Sequence, residues 1–152
     1  ATLAAHLLSL SIADPQSLAL GAIVHDLDLI SAPNSHVLNM DSNPQTHSPD
    51  LGARMGRAMG LSADVVQILA LHHERWDGTG YPFGLREDRT PLLARIVGIA
   101  QVFDDLTADK PERISLSFDE AIQQIEQQAG TAFDPTRTEP FCRTMRDQPP
   151  TH

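Results

Sequence analysis

An all-α fold, a bundle of about seven helices, follows from three observations. Apolar residues recur at helical spacing along almost the whole chain of 152 residues. Alternating strand patterns are scarce. Asp, Ser and Pro stand where helical runs begin. The length suits one domain large enough to bury a core, taken here as residues 1–147, with 148–152 as a disordered tail.

The elements follow in order. Leu3, Leu7 and Leu10 share one side of a helix predicted over 2–12. Asp14-Pro15 gives the N-cap and first-turn proline of a second helix, predicted to reach about Leu27 and to carry His25-Asp26 at its end. Residues 28–47 read as a long structured loop, because Leu29, Ile30, Val37 and Leu38 are spread through it. Ser48-Pro49-Asp50 opens a third helix to about Met59, and Gly60 is its expected C-cap. Ser62-Ala63-Asp64 caps a fourth, which delivers His72 and His73 to a polar, Gly-rich loop over 74–90. A fifth helix runs from Pro91 to about Leu106. Ser117 and Glu120 form a capping-box pattern for a sixth, and Asp134-Pro135 opens a seventh.

Composition narrows the function. The formal charge of −9 disfavours a general DNA or RNA binder, though it leaves room for a small phosphorylated ligand. No stretch reaches the roughly 20 apolar residues of a membrane span. The run Leu7-Leu8-Ser9-Leu10 has no basic flank and no cleavage signature. Cys142 stands alone, so no internal disulfide forms, which fits a reducing compartment such as the cytoplasm. The chain reads as the output domain of a longer protein.

The segment His72-His73-Glu74-Arg75-Trp76-Asp77-Gly78-Thr79-Gly80-Tyr81-Pro82 carries the most chemistry. Imidazole is the commonest metal ligand. Adjacent helical residues point about 100° apart, so the two rings could serve two ions rather than chelate one. Protonated histidines closing a helix against its dipole would be the plainer role, but that does not explain the loop that follows. Its glycines free the backbone at two nearby points, and the loop can offer N–H groups and a phenol to an anionic ligand. His25-Asp26 adds a second imidazole and a carboxylate, a mixed N and O donor set suited to Mn, Fe or Zn.

Taken together, His25-Asp26, the His72-to-Pro82 segment, Pro91-Leu92-Leu93-Ala94-Arg95-Ile96, Asp104-Asp105-Leu106-Thr107 and Gly130-Thr131-Ala132-Phe133-Asp134-Pro135 resemble the HD-GYP family. The resemblance spans nearly the whole chain. It implies an HD-domain-like helical bundle and a metal-dependent phosphodiesterase of bacterial signalling that opens cyclic di-GMP to pGpG and, in some members, GMP. It implies His25, Asp26, His72 and His73 as metal ligands, with Asp26 also catalytic. It implies Gly80, Tyr81, Lys110 and Arg113 as residues facing the substrate. The partners implied are cyclic di-GMP and signalling domains such as a diguanylate cyclase (GGDEF) domain.

Three positions depart from the family pattern. Leu29 stands where a lysine would meet the scissile phosphate. Ser48 stands where a histidine precedes Pro49, with His47 one place early. Gln101 stands where an aspartate would bind metal. A lost electrostatic contact of the lysine's kind costs ~10²–10³ in rate. Asp28, three residues after His25, reads as a solvated acid at a helix end, with a compensating ligand role as the alternative. These departures imply one weakly bound Fe or Mn ion at most, and impaired or absent hydrolysis with a retained nucleotide- or partner-binding role. An active enzyme with altered ligands is the alternative.

Overall fold

The computed structural model describes residues 13–28, 49–109 and 114–147. Within them the chain forms six helices: α1 (Pro15–Val24), α2 (Pro49–Ala58), α3 (Ala63–Leu71), α4 (Leu92–Thr107), α5 (Phe118–Gln127) and α6 (Pro135–Asp147). A short 3-10 turn, Glu87–Arg89, precedes α4. No strand is present among the described residues, only the isolated bridges Asp77–Arg86 and Ala129–Phe133. The all-helical expectation therefore holds. The helix predicted over 2–12 and the tail 148–152 lie outside the described residues.

Local chemistry sets most boundaries. Asp14 accepts from the Ser17 amide at 3.0 Å and caps α1, with Pro15 in the first turn. Ser62 caps α3 through the Val65 amide. At α5 both capping-box bonds form: the Ser117 hydroxyl accepts from the Glu120 amide, and the Glu120 carboxylate accepts from the Ser117 amide at 2.9 Å. Gly60 ends α2 in the left-handed region, at φ 75°.

One boundary differs. The second predicted helix was drawn to Leu27, but α1 stops at Val24 and the chain turns through His25 and Asp26. The apolar pattern continues past the end because Leu27 still enters the core, packing with Val65 and Leu69.

Helix α3 is central, touching α1, α2 and α4. The main core joins Leu18 of α1, Ile68 of α3, Ile96, Ile99 and Phe103 of α4, Ile122 and Ile125 of α5, and Phe141 and Met145 of α6. Burying a side chain such as Ile68, which is 0% exposed, contributes about 1.5–3 kcal/mol. The consequence for function is geometric: the C-terminal ends of α1 and α3 are clamped together, so His25 and His72 meet.

Candidate functional site

His25 and His72 hold equivalent places, each the residue that ends its helix. Each directs Nδ1 at a backbone carbonyl of its own last turn: His25 at Ala22 (2.9 Å), His72 at Ile68 (2.8 Å). A carbonyl only accepts, so Nδ1 carries the proton and donates. That fixes the ring orientation and turns both Nε2 atoms toward the site. The His25 and His72 rings meet edge to face at 5.4 Å, and His72 lies 4.0 Å from His73. The two adjacent rings lie side by side with their planes 43° apart. Tyr81 stacks on His73 at 4.7 Å.

Asp26 joins them, its Oδ2 lying 3.2 Å from His25 Nε2. Burial pulls the His25 pKa down. The bond to Asp26 and its charge, the Ala22 carbonyl and the charge of Asp104 outweigh that pull, and the net shift is upward. Tyr81 has the opposite surroundings. Burial, then the charges of Asp28 and Asp26, push its phenol up to about 12, so it is a neutral O–H at physiological pH.

Asp28 corrects an expectation. It is 5% exposed, not a solvated acid at a helix end. The helix that would have placed it on the face of His25 has already ended. Its side chain instead packs toward Gly52 of α2, on the side of the site from which it acts on Tyr81.

The loop over 74–90 is built by its own polar groups. The Glu74 carboxylate accepts from the amides of Phe83 (2.7 Å) and Leu85 (2.9 Å), clamping the tip of the loop to its base. Asp77 accepts from the Thr79 amide at 2.9 Å and from its hydroxyl at 2.6 Å, which hold its carboxyl below the usual range. Gly80 allows a close approach. A Cβ there would lie 2.3 Å from the Arg75 nitrogen and 2.6 Å from the His73 oxygen, both backbone atoms. This closeness lets the Tyr81 amide donate to the His73 carbonyl and seats the phenol on the imidazole. Gly98 does the same for α4, where a Cβ would stand 2.7 Å from the His72 carbonyl oxygen.

One turn beyond Gly98 lies Gln101. Beside it a cavity of about 160 Å³ opens, lined by His72, His73, Trp76, Thr90, Arg95 and Gln101 among others. The donor set can be tested against a metal centre. Three imidazoles and the Asp26 carboxylate share a neighbourhood, but among the described residues no three His, Cys, Asp or Glu side chains are placed to hold one ion. The α4 contribution at this point is a neutral amide. These donors do not fit a two-ion centre.

The structure thus brings together His25, Asp26, His72, His73 and Tyr81, with Gly80 shaping the loop. Lys110, Arg113, Leu29, His47 and Ser48 lie outside the described residues. Sequence reasoning gave no role to Glu74, Trp76, Thr90 or Arg95. Arg95 pairs with the buried Asp134 and stands over the Trp76 ring at 5.6 Å. The only advance signal was that Glu74, Trp76 and Arg95 fall inside quoted motifs and that Thr90 directly precedes one.

A helical bundle whose helix ends converge a His-Asp pair on a His-His pair defines an HD-type domain. The chain belongs to the HD domain family, which matches residues 1–137. It is 33% identical over 153 residues to the cyclic di-GMP phosphodiesterase response regulator RpfG of Xanthomonas campestris, covering 94% of this chain and 40% of that protein. It is 34% identical over 146 residues to a cyclic di-GMP phosphodiesterase of Pseudomonas aeruginosa, covering 90% of this chain and 35% of the relative. The chain therefore spans less than half the length of either. Its fold is shared with an HDG"Y"P protein from Bdellovibrio bacteriovorus, at TM-score 0.71 and 24% identity over 95% of this chain and 50% of that one. The resemblance to HD-GYP proteins drawn from the motifs holds.

Proposed function

We propose that this domain recognises cyclic di-GMP in the cytoplasm and hydrolyses it weakly or not at all. Phosphodiesterases of this family are metal-dependent, and the relatives named above are called cyclic di-GMP phosphodiesterases. The observation that carries the reading is Gln101. It lines the same cavity as His72 and His73 on the α4 turn after Gly98, where the ligand set calls for a carboxylate. An amide oxygen has no net charge, binds a divalent ion far less tightly and does not bridge two ions. At most one Fe or Mn ion would be held, weakly and only after His25, Asp26, His72 and His73 shift, because no three of them are placed around one point as they stand. Asp26 would be the catalytic carboxylate of whatever turnover remains.

The residues still perform binding work. The neutral Tyr81 O–H, the loop amides set by Gly80, and Lys110 and Arg113 supply donors for a phosphodiester. The exposed Phe83, 69% accessible at the loop tip, favours a companion role in docking a signalling domain such as a diguanylate cyclase.

The test pairs calorimetry with a hydrolysis assay in added Mn²⁺. Binding of cyclic di-GMP with turnover at least ~10²-fold below an active family member supports the reading. Turnover at the level of active members, abolished by Asp26→Ala, would replace it with an active enzyme using altered ligands. The change Gln101→Asp is expected to raise Mn²⁺ affinity.

A further inference from the structure

The cavity behind His72 and His73 holds two polar groups that the domain itself does not use. Thr90 is 3% exposed, and its Oγ1 has no hydrogen-bond partner among the described residues. Arg95 Nε is buried and has none either. Both residues line the cavity. A folded chain rarely leaves such donors unsatisfied without a reason.

The surroundings are built rather than incidental. The guanidinium of Arg95 is pinned at Nη1 by the buried Asp134 and stands over the Trp76 ring. Asp134 is itself held by the amide of Thr136 at 2.8 Å. Glu87, also a lining residue, sits at φ 53°, a backbone region that side chains seldom adopt. Its amide donates to the Trp76 carbonyl at 2.9 Å and its carbonyl accepts from the Thr90 amide, so this turn sets both Glu87 and Thr90 at the cavity. Backbone strain of this kind gathers at ligand clamps.

We infer that this cavity is a base subsite that takes a guanine ring. The inference rests on the cyclic dinucleotide reading above and names where one base would lie. A volume of about 160 Å³ admits one flat bicyclic ring. Trp76 and Phe133 supply the aromatic lining that stacks bases. The edge chemistry selects the base. Guanine presents two adjacent acceptors, O6 and N7, which match the Arg95 Nε–H and the Thr90 O–H. Its opposite edge is rich in donors and matches carboxylates such as Glu87 and Asp105 at the rim. Adenine places an amino donor beside N7 and sets a donor against a guanidinium.

Trp76 is the only tryptophan in the chain, so its fluorescence reports on this cavity alone. The experiment titrates the domain with cyclic di-GMP and cyclic di-AMP, following Trp76 emission and, in parallel, heat. Cyclic di-GMP is expected to quench Trp76 and to bind more tightly than cyclic di-AMP. Thr90→Val, close in shape, should weaken cyclic di-GMP about two- to tenfold and leave cyclic di-AMP unchanged. Val102→Phe, which fills the cavity from α4, should remove the quench. Calorimetric binding of cyclic di-GMP with Trp76 emission unchanged would overturn the subsite while leaving the recognition reading intact. Equal affinity for the two nucleotides, or an undiminished Thr90→Val, would overturn the guanine assignment. No heat with either nucleotide would overturn the recognition reading itself, and the subsite with it.

Discussion

The Tyr81 phenol lies flat against the His73 imidazole, ring centroids 4.7 Å apart and planes 14° from parallel. One residue belongs to the end of α3 and the other to the loop that leaves it. The stack therefore couples the loop's position to the orientation of a site histidine. Stacked aromatic pairs are worth ~0.5–1.5 kcal/mol beyond the area they bury. Tyr81→Phe keeps the ring but loses the O–H donor and is expected to weaken cyclic di-GMP about two- to tenfold, while Tyr81→Leu loses the stack as well and a further three- to tenfold. Titration calorimetry on the two variants checks this. Equal affinities for Tyr81→Leu and the parent chain would show that the stack does no orienting.

Gly80 and Gly60 should respond differently to alanine. At Gly80 the new Cβ meets backbone atoms at 2.3 and 2.6 Å, and backbone cannot swing away. Gly80→Ala is expected to displace the loop, cost about 1–3 kcal/mol in denaturant unfolding, and weaken nucleotide binding. At Gly60 nothing lies within 4 Å, and only the positive φ opposes a side chain. Gly60→Ala should cost about 1–2 kcal/mol and leave binding unchanged. The pair separates steric closeness at the site from plain backbone strain.

Acid should weaken the fold through its caps. Asp14, Asp77 and Glu120 are each held below their ordinary carboxylate values by bonds from Ser17, Thr79 and Ser117. A depressed carboxylate contributes stability that is fully present above its unfolded pKa and is lost as pH falls through the folded one. The window therefore opens at about pH 4 and extends downward, with a flat response at neutral pH. The melting temperature followed from pH 7 to pH 2.5 should show this fall, and Glu120→Gln should flatten part of it. Ser62→Ala, which removes the α3 cap without touching a titrating group, should cost about 1 kcal/mol at every pH.

Cys142 should be chemically silent until the domain opens. It is 0% exposed, and burial pushes its thiol from 9.0 to about 11, so at pH 8 its thiolate fraction is about 100-fold lower than in the unfolded chain. Reaction with a coloured disulfide reagent should be at least that much slower in the native state and should become fast in urea. Rapid labelling of the folded domain would contradict the burial.

Much of this molecule was legible in residue order because the signals are local. Helix starts are written in side chains that bond their own neighbouring amides, so Asp14, Ser62 and the Ser117–Glu120 box marked α1, α3 and α5 directly. The His72-to-Pro82 segment was legible for the same reason, as a run that chance seldom produces, and it gave meaning to His25-Asp26, a dipeptide common by chance. What depended on distant partners was not legible. Asp28 looked solvated in one dimension, yet α2 covers it, because α1 ends before it and turns the chain inward. That His25 would meet His72 edge to face, and Tyr81 lie flat on His73, followed only once α1 packed on α3 and the loop folded back. Arg95, Thr90 and Trp76 come from separate segments, and only the approach of α4 permitted by Gly98 encloses a cavity among them. Local hydrogen bonds settle which elements form. The close packing of helices around α3, which no single segment encodes, settles which side chains share a site.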